Sequence, residues 1–397
     1  MSQYVVWFDS AETGAPVLNN AAGSLIGVLD ACLITGFNTK TVTISVTANV
    51  ATATSNGHGF SGVYGKDVLI AGATPALLNG RKELTFVDTN TFRFAAPGVA
   101  DGAATGTITA KRDTLGWVKQ FTGVNKAIYK RSDITATTIM LRVLDTAVAP
   151  ANAFEARVFM VETATDVDTY TGQGPTPAQL VDGQYWNKGA NTSTAKQWSL
   201  IGDAKGFYLV TQAQTVLLPS AATSDYASGI MAFGDIQSLK QGDAYNCMLH
   251  GPNSPGSGGG TGMGAASIGS QAATATSGSL TLARAYSQLA GSVTAGSVAA
   301  LSALSGGGSA LVFPSPIDSG FLLTTVTPLT EAVPGGFAVR GFVPGYLQVL
   351  GQYAIQHQQI LEPVVSLPGR KILGLSSYTT NAQARLGFDL TGPWRQA

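Results

Sequence analysis

Short runs of β-branched and apolar residues, separated by turn residues, recur along the chain and constrain its fold more than any other feature. The chain has 397 residues, of which 48 are Gly. Runs of this kind, bounded by Gly, Asn, Asp or Pro, are typical of β-strands. Short connections between strands favour antiparallel neighbours. The sequence therefore predicts a mainly β protein with some α+β elements, built from an antiparallel sheet or sandwich.

One helix is expected near the N-terminus. Apolar residues recur there at helical spacing and form one stripe: Leu25, Ile26, Leu29, Cys32 and Leu33. Gly36 stands where a C-terminal cap would end the helix. Since Cys32 lies on the stripe, we interpret it as a small core residue.

The charge content is low. Charged residues make up 12% of the chain, and Lys+Arg and Asp+Glu both number 23, so the net charge is zero. An ordinary soluble domain has about 25% charged residues. A protein with few charges and no net charge tends to associate. This composition favours a subunit that buries much of its surface against other subunits. The alternative is a neutral secreted or periplasmic protein.

Several classes of partner and site lack support in the sequence. Affinity for nucleic acid depends on Lys and Arg that neutralise phosphates. Here the densest basic spot is Lys130-Arg131, with Lys126 nearby, so no nucleic-acid contact is predicted. The two cysteines, Cys32 and Cys247, form no CxxC motif, and neither a disulfide framework nor a zinc site follows.

The N-terminal residues do not have the pattern of a signal peptide, because a basic segment followed by an apolar run is missing. No stretch approaches the ~20 apolar residues that a membrane-spanning helix needs. We therefore expect a protein made in a cytoplasm, without a membrane span.

Residues 41–110 are composed of short strands and turns. Thr41–Val46 alternates at period two, and Ala51–Thr54, Asp67–Gly72, Glu83–Val87, Thr91–Phe94 and Ala104–Thr109 follow, with turns between them. About six short strands in one segment are enough for a small closed barrel.

This segment resembles the small β-barrel named after the first catalytic-cysteine half-domain (FCCH) of ubiquitin-activating enzymes. Barrels similar to it recur in virion structural proteins of tailed bacteriophages. The resemblance is carried by His58-Gly59, Gly65–Gly72, Asn79-Gly80, Thr91–Phe94 and Ala104–Thr107. Lys66, between Gly65 and Asp67, departs from the pattern by one residue. The resemblance implies a decoration or contact module that carries no catalytic residue.

The barrel is expected to be an insertion. Residues 1–40 and 111–240 are predicted to form one discontinuous β-rich trunk domain with the single helix, and residues 41–110 the inserted barrel. Residues 241–312 contain the run GPNSPGSGGGTGMG at 251–264, which indicates either a flexible linker or an arm ordered by a neighbouring subunit.

Residues 313–397 are expected to form a C-terminal β-rich region, either a compact end domain or a continuation of the sheet. The closing residues Phe388–Trp394 resemble the ends of hypothetical phage virion proteins. Trp394 is expected to anchor this end by burying its large apolar face.

No motif of a catalytic, cofactor or metal site stands out. A metal site needs clustered donors, whereas His58, His250 and His357 are far apart in sequence. His58 is expected to serve the barrel turn. The Gly-rich run lacks the Gly-Lys-Ser/Thr ending of a phosphate loop, and Gly-x-Ser-x-Gly does not occur. Glu162, Asp166 and Asp168 form the tightest carboxylate cluster, which we interpret as a solvated loop.

The sequence thus predicts a non-enzymatic structural component of a tailed phage particle, in the tail, baseplate or neck, without cofactors. Its expected partners are copies of itself and other virion proteins. A capsid decoration or minor head protein is the alternative. A host-surface-binding tail spike or glycan-degrading enzyme ranks lower, because the repeated strand motifs of a β-helix are missing from the sequence.

Overall fold

The computed structural model describes residues 4–189, 193–211, 229–253, 279–289, 291–297, 327–348, 356–362, 367–379 and 382–395. Strands dominate these ranges. Every strand pair between them is antiparallel, from the pairing of the N-terminal strand onward. The predicted fold class, a mainly β protein of antiparallel sheets, is confirmed.

The strands of residues 4–189 are, in chain order, β1 (Val6–Asp9), β2 (Lys40–Thr41), β3 (Thr43–Thr47), β4 (Val50–Thr54), β5 (Val68–Ala71), β6 (Gly80–Lys82), β7 (Phe86–Val87), β8 (Thr91–Ala95), β9 (Gly102–Ala103), β10 (Thr109–Arg112), β11 (Val118–Gly123), β12 (Lys126–Lys130), β13 (Met140–Leu144), β14 (Glu155–Val161), β15 (Thr163–Ala164), β16 (Tyr170–Thr171) and β17 (Gln184–Asn187).

The strands that follow are β18 (Trp198–Asp203), β19 (Gly206–Thr211), β20 (Gly229–Asp235), β21 (Gln237–Ser238), β22 (Cys247–Gly251), β23 (Ser279–Leu282), β24 (Val293–Ser297), β25 (Thr327–Val333), β26 (Gly336–Val343), β27 (Tyr346–Gln348), β28 (Gln359–Leu361), β29 (Ile372–Thr379) and β30 (Ala382–Asp389).

The predicted helix is confirmed as α1 (Ser24–Asp30), which continues into a π-helical turn at Ala31–Thr35. Gly36 ends the helical segment with φ 70°, a backbone conformation that glycine adopts without steric cost. Cys32 is fully buried among apolar side chains, as expected for a core residue. At the start of α1, the Asp145 carboxylate accepts the N–H groups of Leu25 (2.9 Å) and Ile26 (3.4 Å).

A ten-stranded sheet forms the centre of the molecule, in the order β1-β18-β19-β20-β22-β23-β24-β25-β26-β21. Side chains alternate between its two faces. Phe207 and Leu209 lie in one apolar cluster, while Tyr208 and Val210 lie in another. All four are buried. Both faces of this part of the sheet are therefore covered, which explains why its strands read as nearly continuous apolar runs.

The layer on the first face is α1 together with a five-stranded sheet, β11-β12-β13-β14-β17. Its outer side carries a small cluster that includes Phe159, covered by the hairpin of β15 and β16 through Tyr170.

The layer on the second face is a four-stranded sheet, β27-β30-β29-β28. Trp394 lies there, 5% exposed, and its ring packs against Tyr208 at 5.4 Å between ring centroids. The predicted burial of Trp394 is confirmed.

Residues 40–112, here named the small β unit, form two further sheets, β7-β8-β4-β3-β9 and β2-β10-β5-β6. The strand Thr43–Thr47 alternates exposed and buried residues, as a strand does when one face is solvated. Both sheets contribute to one apolar cluster that includes Ile44, Ile70, Phe92 and Phe94. From here on, the trunk means the described chain outside residues 40–112. Among the described residues, this cluster includes none of the trunk, so the unit has a core of its own.

Residues 241–312 differ from the sequence-based expectation. Expected to be an arm or linker, they contain strands β22, β23 and β24, which belong to the central sheet. Strands β25 and β26 of the C-terminal region extend the same sheet, which is one of the two alternatives stated for that region. Gly and Ser flank these strands, and apolar stretches as short as Leu280–Leu282 do not identify a strand by spacing. Their strand character depends on pairing with neighbouring strands. The Gly-rich run at 254–264 lies outside the described residues.

Because both faces of the central sheet are covered, truncation on either face should destabilise the protein. Leu209→Ala removes volume on the α1 side and Ile230→Ala on the other side, and both residues are fully buried. We expect each to lower the free energy of unfolding by about 2–5 kcal/mol in chemical denaturation. Ile134→Ala is the control, since Ile134 is 93% exposed, and should change stability by less than about 0.5 kcal/mol. A neutral effect of Ile230→Ala would contradict the second covering layer.

Candidate functional site

The small β unit meets the trunk at the N-terminal strand, and we name this contact the joint. It comprises Trp7, Asp9, Glu12, Lys66 and Arg112. The backbone N–H of Trp7 donates to the Gly65 carbonyl (3.1 Å), and its indole Nε1 donates to the Tyr64 carbonyl (2.8 Å). The Lys66 ammonium lies over the Trp7 ring, 4.1 Å from its centroid.

Four charged side chains alternate in sign across the joint. Lys66 Nζ donates to the Asp9 carboxylate and lies 3.5 Å from Glu12 Oε1. Arg112 Nε donates to Glu12 Oε2 at 2.5 Å. Side-chain exposure is 8% for Lys66, 3% for Asp9, 7% for Glu12 and 2% for Arg112. The network is thus nearly excluded from solvent, and every charge has a partner of opposite sign.

The Arg112 guanidinium also binds backbone on both sides of the joint. Nη2 donates to the Trp7 carbonyl at 2.7 Å, and Nη1 donates to the Asp67 carbonyl. Desolvating charges is costly, and the cost is offset only when the geometry satisfies all of them. The joint therefore specifies one orientation of the small β unit on the trunk. What this arrangement can do is positional: it holds a separate module rigidly.

One carboxyl group beside the joint is electrostatically unfavourable when it is charged. Burial raises the pKa of Asp67 from 3.8 to about 6, although the Arg81 and Arg112 guanidinium groups act in the opposite direction. The nearby Asp113 has a direct partner, since Arg81 Nε donates to its carboxylate. The joint thus has a group that titrates in the mildly acidic range.

His58, expected to serve the barrel turn, lies inside the small β unit and is 1% exposed. Its Nδ1 accepts the Phe60 N–H at 3.0 Å, which leaves Nε2 as the donor to the Thr91 carbonyl at 3.2 Å. The ring stacks on Phe60 and meets the edge of Phe92. Both ring nitrogens are therefore engaged in holding the turn.

The three clustered carboxylates do not converge on a common point. Glu162 forms a two-pronged ion pair with Arg284, with both N–O distances at 2.6 Å. Asp168 pairs with Lys126 and Arg142. Asp166 accepts the N–H groups of Asp168 and Thr169 in its own turn. Asp166 and Asp168 are exposed, as predicted for a solvated loop, whereas Glu162 is only 17% exposed.

Among the residues that the structure describes, no three His, Cys, Asp or Glu side chains are grouped in a way that could hold a metal ion. His250 lies buried in the central strand β22, and His357 lies just before β28. In the same described ranges, no helix combines the length and apolar character that crossing a bilayer requires.

The densest basic spot of the sequence is divided between surface and core. Lys130 is exposed, whereas Arg131 is buried and lies 3.1 Å from the Asp235 carboxylate. Arg131 Nη1 also lies 3.4 Å from the Cys247 Sγ. Burial raises the pKa of the Cys247 thiol to about 11, so this thiol stays protonated at neutral pH.

A groove with a volume of about 350 Å³ lies between the central sheet and the C-terminal layer. Its walls include Tyr346, Trp394 and the ion pair of Arg370 with Asp389. Arg370 Nη1 donates to Asp389 Oδ2 at 2.6 Å and to the Gly392 carbonyl at 2.7 Å. The charged groups of this groove are thus already used to close the C-terminal turn.

Sequence reasoning did not identify the joint. Its four charges come from three separate stretches of the chain, and only the fold brings them together. The one available signal was Lys66, the residue that departs from the barrel pattern. The structure places that residue at the centre of the contact with the trunk.

No protein-family model matches this chain, and a search of the curated proteins finds no match either.

The joint yields a prediction for Lys66. In Lys66→Met the carboxylates of Asp9 and Glu12 lose a buried counter-ion, so we expect a loss of about 3–5 kcal/mol in the free energy of unfolding. Lys126→Met is the matched control, because its ion pair with Asp168 is 30% and 53% exposed and should contribute at most about 1 kcal/mol. Equal effects of the two variants in urea denaturation would contradict the proposed importance of the joint.

The raised pKa of Asp67 yields a pH-dependent prediction. The folded state binds a proton on Asp67 more tightly than the unfolded state, so its contribution to stability falls as pH rises from about 4 to about 6. Asp67→Asn should therefore match the parent protein near pH 4. It should be more stable above pH 6, by up to roughly 3 kcal/mol. The measurement is denaturation of both proteins across this pH range.

Asp88→Asn is the control for that experiment, because its effect on stability should depend on pH in the opposite direction. Hydrogen bonds from Asn90 and Thr91 lower the pKa of Asp88. The loss of stability in Asp88→Asn should be present above about pH 4 and should disappear as pH falls through the lowered pKa. A stability difference for Asp67→Asn that does not vary with pH would contradict the assignment.

Proposed function

We propose that this chain is a non-enzymatic structural component of a tailed phage particle, located in the tail, baseplate or neck, which acts through multimeric protein–protein contacts. The observation that carries the proposal is the small β unit, a module with its own core that is fixed to a larger β trunk by the buried joint. Its sequence resembles barrels of tailed-phage structural proteins.

The geometry suits a mechanical role. Every layer of the trunk is tied to its neighbours through one of two large apolar clusters, which gives a stiff platform. The joint then prevents the small β unit from rotating on that platform, because rotation would separate buried charges. The unit can present its outer surface to a neighbouring protein in a fixed direction.

The composition supports the multimeric part of the proposal. With 12% charged residues and no net charge, isolated copies have little electrostatic repulsion to keep them apart. In an assembly, contacts with other subunits would cover surface that a monomer leaves to water.

The test uses the phage particle itself. Quantitative mass spectrometry of washed, gradient-purified particles should find the chain at a fixed copy number greater than one per particle. Gold-labelled antibodies viewed by electron microscopy should mark the tail, baseplate or neck. Label spread over the head would instead support the capsid-decoration alternative. Absence of the chain from washed particles would overturn the proposal, as would a glycan-degrading activity of the purified protein that accounts for host binding.

A further inference from the structure

The outer end of the β25–β26 hairpin extends beyond the rest of the central sheet. Strand β24 pairs with β25 only from Leu329 to Glu331, whereas β25 and β26 continue pairing to Val333 and Gly336. Pro334 and Gly335 form the two-residue turn, and Gly335 has φ 91°, as the third residue of a type II turn requires. The end of the hairpin is therefore well formed, and residues 332–337 are exposed.

Within the described ranges, strand pairing covers the outer edge of β26 at its base alone. Strand β21 pairs with Gly341 and Phe342, and the Leu239 N–H donates to the Arg340 carbonyl at 3.1 Å. Beyond that point, no strand in the described part of the chain pairs with the outer edge of Gly336–Val339. A strand edge of this kind offers backbone donors and acceptors to another strand.

The exposed edge is apolar and uncharged. Phe337 is 69% exposed and Val339 is 46% exposed, and both point to the same face of the strand because they are two residues apart. Two further exposed apolar side chains belong to residues whose backbone is bonded to the base of the hairpin: Leu239 (56%) and Tyr286 (42%). Natural edge strands are commonly protected by Lys, Pro or a bulge. Gly336–Val339 has neither Lys nor Pro, and the bulge of β26 lies at Arg340, at the inner end of this segment.

The base of the hairpin is held firmly. Arg340 is fully buried, and its Nη2 lies 2.8 Å from the Asp243 carboxylate while Nη1 lies 3.5 Å from Glu331. The Glu331 carboxylate accepts the Tyr286 N–H at 2.8 Å. These ion pairs thus bring three chain segments together at the root of the free edge.

We propose that a second copy of this chain pairs with β26 along this edge, in an antiparallel contact across a two-fold axis at Ala338. In that register Phe337 of each copy lies opposite Val339 of the other copy. The two resulting pairs lie on one face of a continuous sheet. Aromatic and β-branched residues in directly opposed positions stabilise a sheet. In this contact, Gly336–Val339 places no charged side chain against the same segment of the other copy, and the chain has no net charge.

This contact rests on the multimeric action proposed above and deepens it by naming the surface. A two-fold contact of identical patches is the commonest arrangement in homo-oligomers. It also removes a hazard, because pairing two free edges leaves neither of them open to further strands.

The first test is sedimentation velocity of the full chain over a range of concentrations. The parent protein should form dimers, and Phe337→Lys should weaken dimerisation at least 10-fold, because each copy would bring a charge into the sheet. Val124→Lys is the matched control, since Val124 is 86% exposed and lies in a different hairpin, and it should dimerise like the parent. Thermal unfolding of both variants should match that of the parent, apart from the loss due to dimer dissociation.

The second test reads the register directly and does not depend on a variant that weakens the contact. Ala338→Cys places one thiol beside the two-fold axis, and a short bismaleimide should join two copies through it. Val148→Cys is the control at a site that is 64% exposed and should remain uncoupled. The native Cys32 and Cys247 are buried, so the background should be low.

A parent protein that stays monomeric, or dimers that survive Phe337→Lys without coupling through Ala338→Cys, would overturn this inference. Those results leave the proposed function standing if the chain is found in washed particles. Conversely, a β26 dimer of a chain that is absent from particles would support the contact and overturn the proposed function.

Discussion

The burial of both faces of the central sheet is the constraint on which the rest of the structure depends. A sheet with two apolar faces must find a covering layer on each side. Here α1 and one sheet cover the first face, and the C-terminal sheet covers the second. Residues from the N-terminal strand to Trp394 meet in the second cluster. The two ends of the described chain are therefore part of the same core, and the trunk depends on both.

The chain enters and exits the small β unit at one place, so the insertion does not interrupt the trunk. The Arg112 N–H donates to the Phe37 carbonyl (3.0 Å), and the Leu115 N–H donates to the Cys32 carbonyl (3.0 Å). The two connections thus run side by side next to the helical segment. An insertion with adjacent ends perturbs its host little. The joint then fixes the orientation of the small β unit, because its buried charges are satisfied in one arrangement only.

The hairpin of β25 and β26 shows a different use of the same sheet. At its base, strand pairing satisfies the backbone and buried ion pairs link neighbouring chain segments. The outer four residues of β26 pair with β25 on one side, and no described strand pairs with their other edge. The ion-paired base and the open apolar edge together form a surface to which another strand can pair. The joint fixes a module within one copy, and this edge can extend the sheet between copies.

The sequence by itself determined the class of fold, the helix at Leu25–Leu33 and the burial of Cys32 and Trp394. Each of these depends on local spacing or on the size of an apolar side chain. It also separated residues 41–110 from their surroundings by pattern. Only the tertiary structure decided that β22–β24 join the central sheet, and that Asp9, Glu12, Lys66 and Arg112 share one site. The reason is physical: strand pairing and ion pairing join residues distant in the chain, and local patterns carry no information about which distant partner is near.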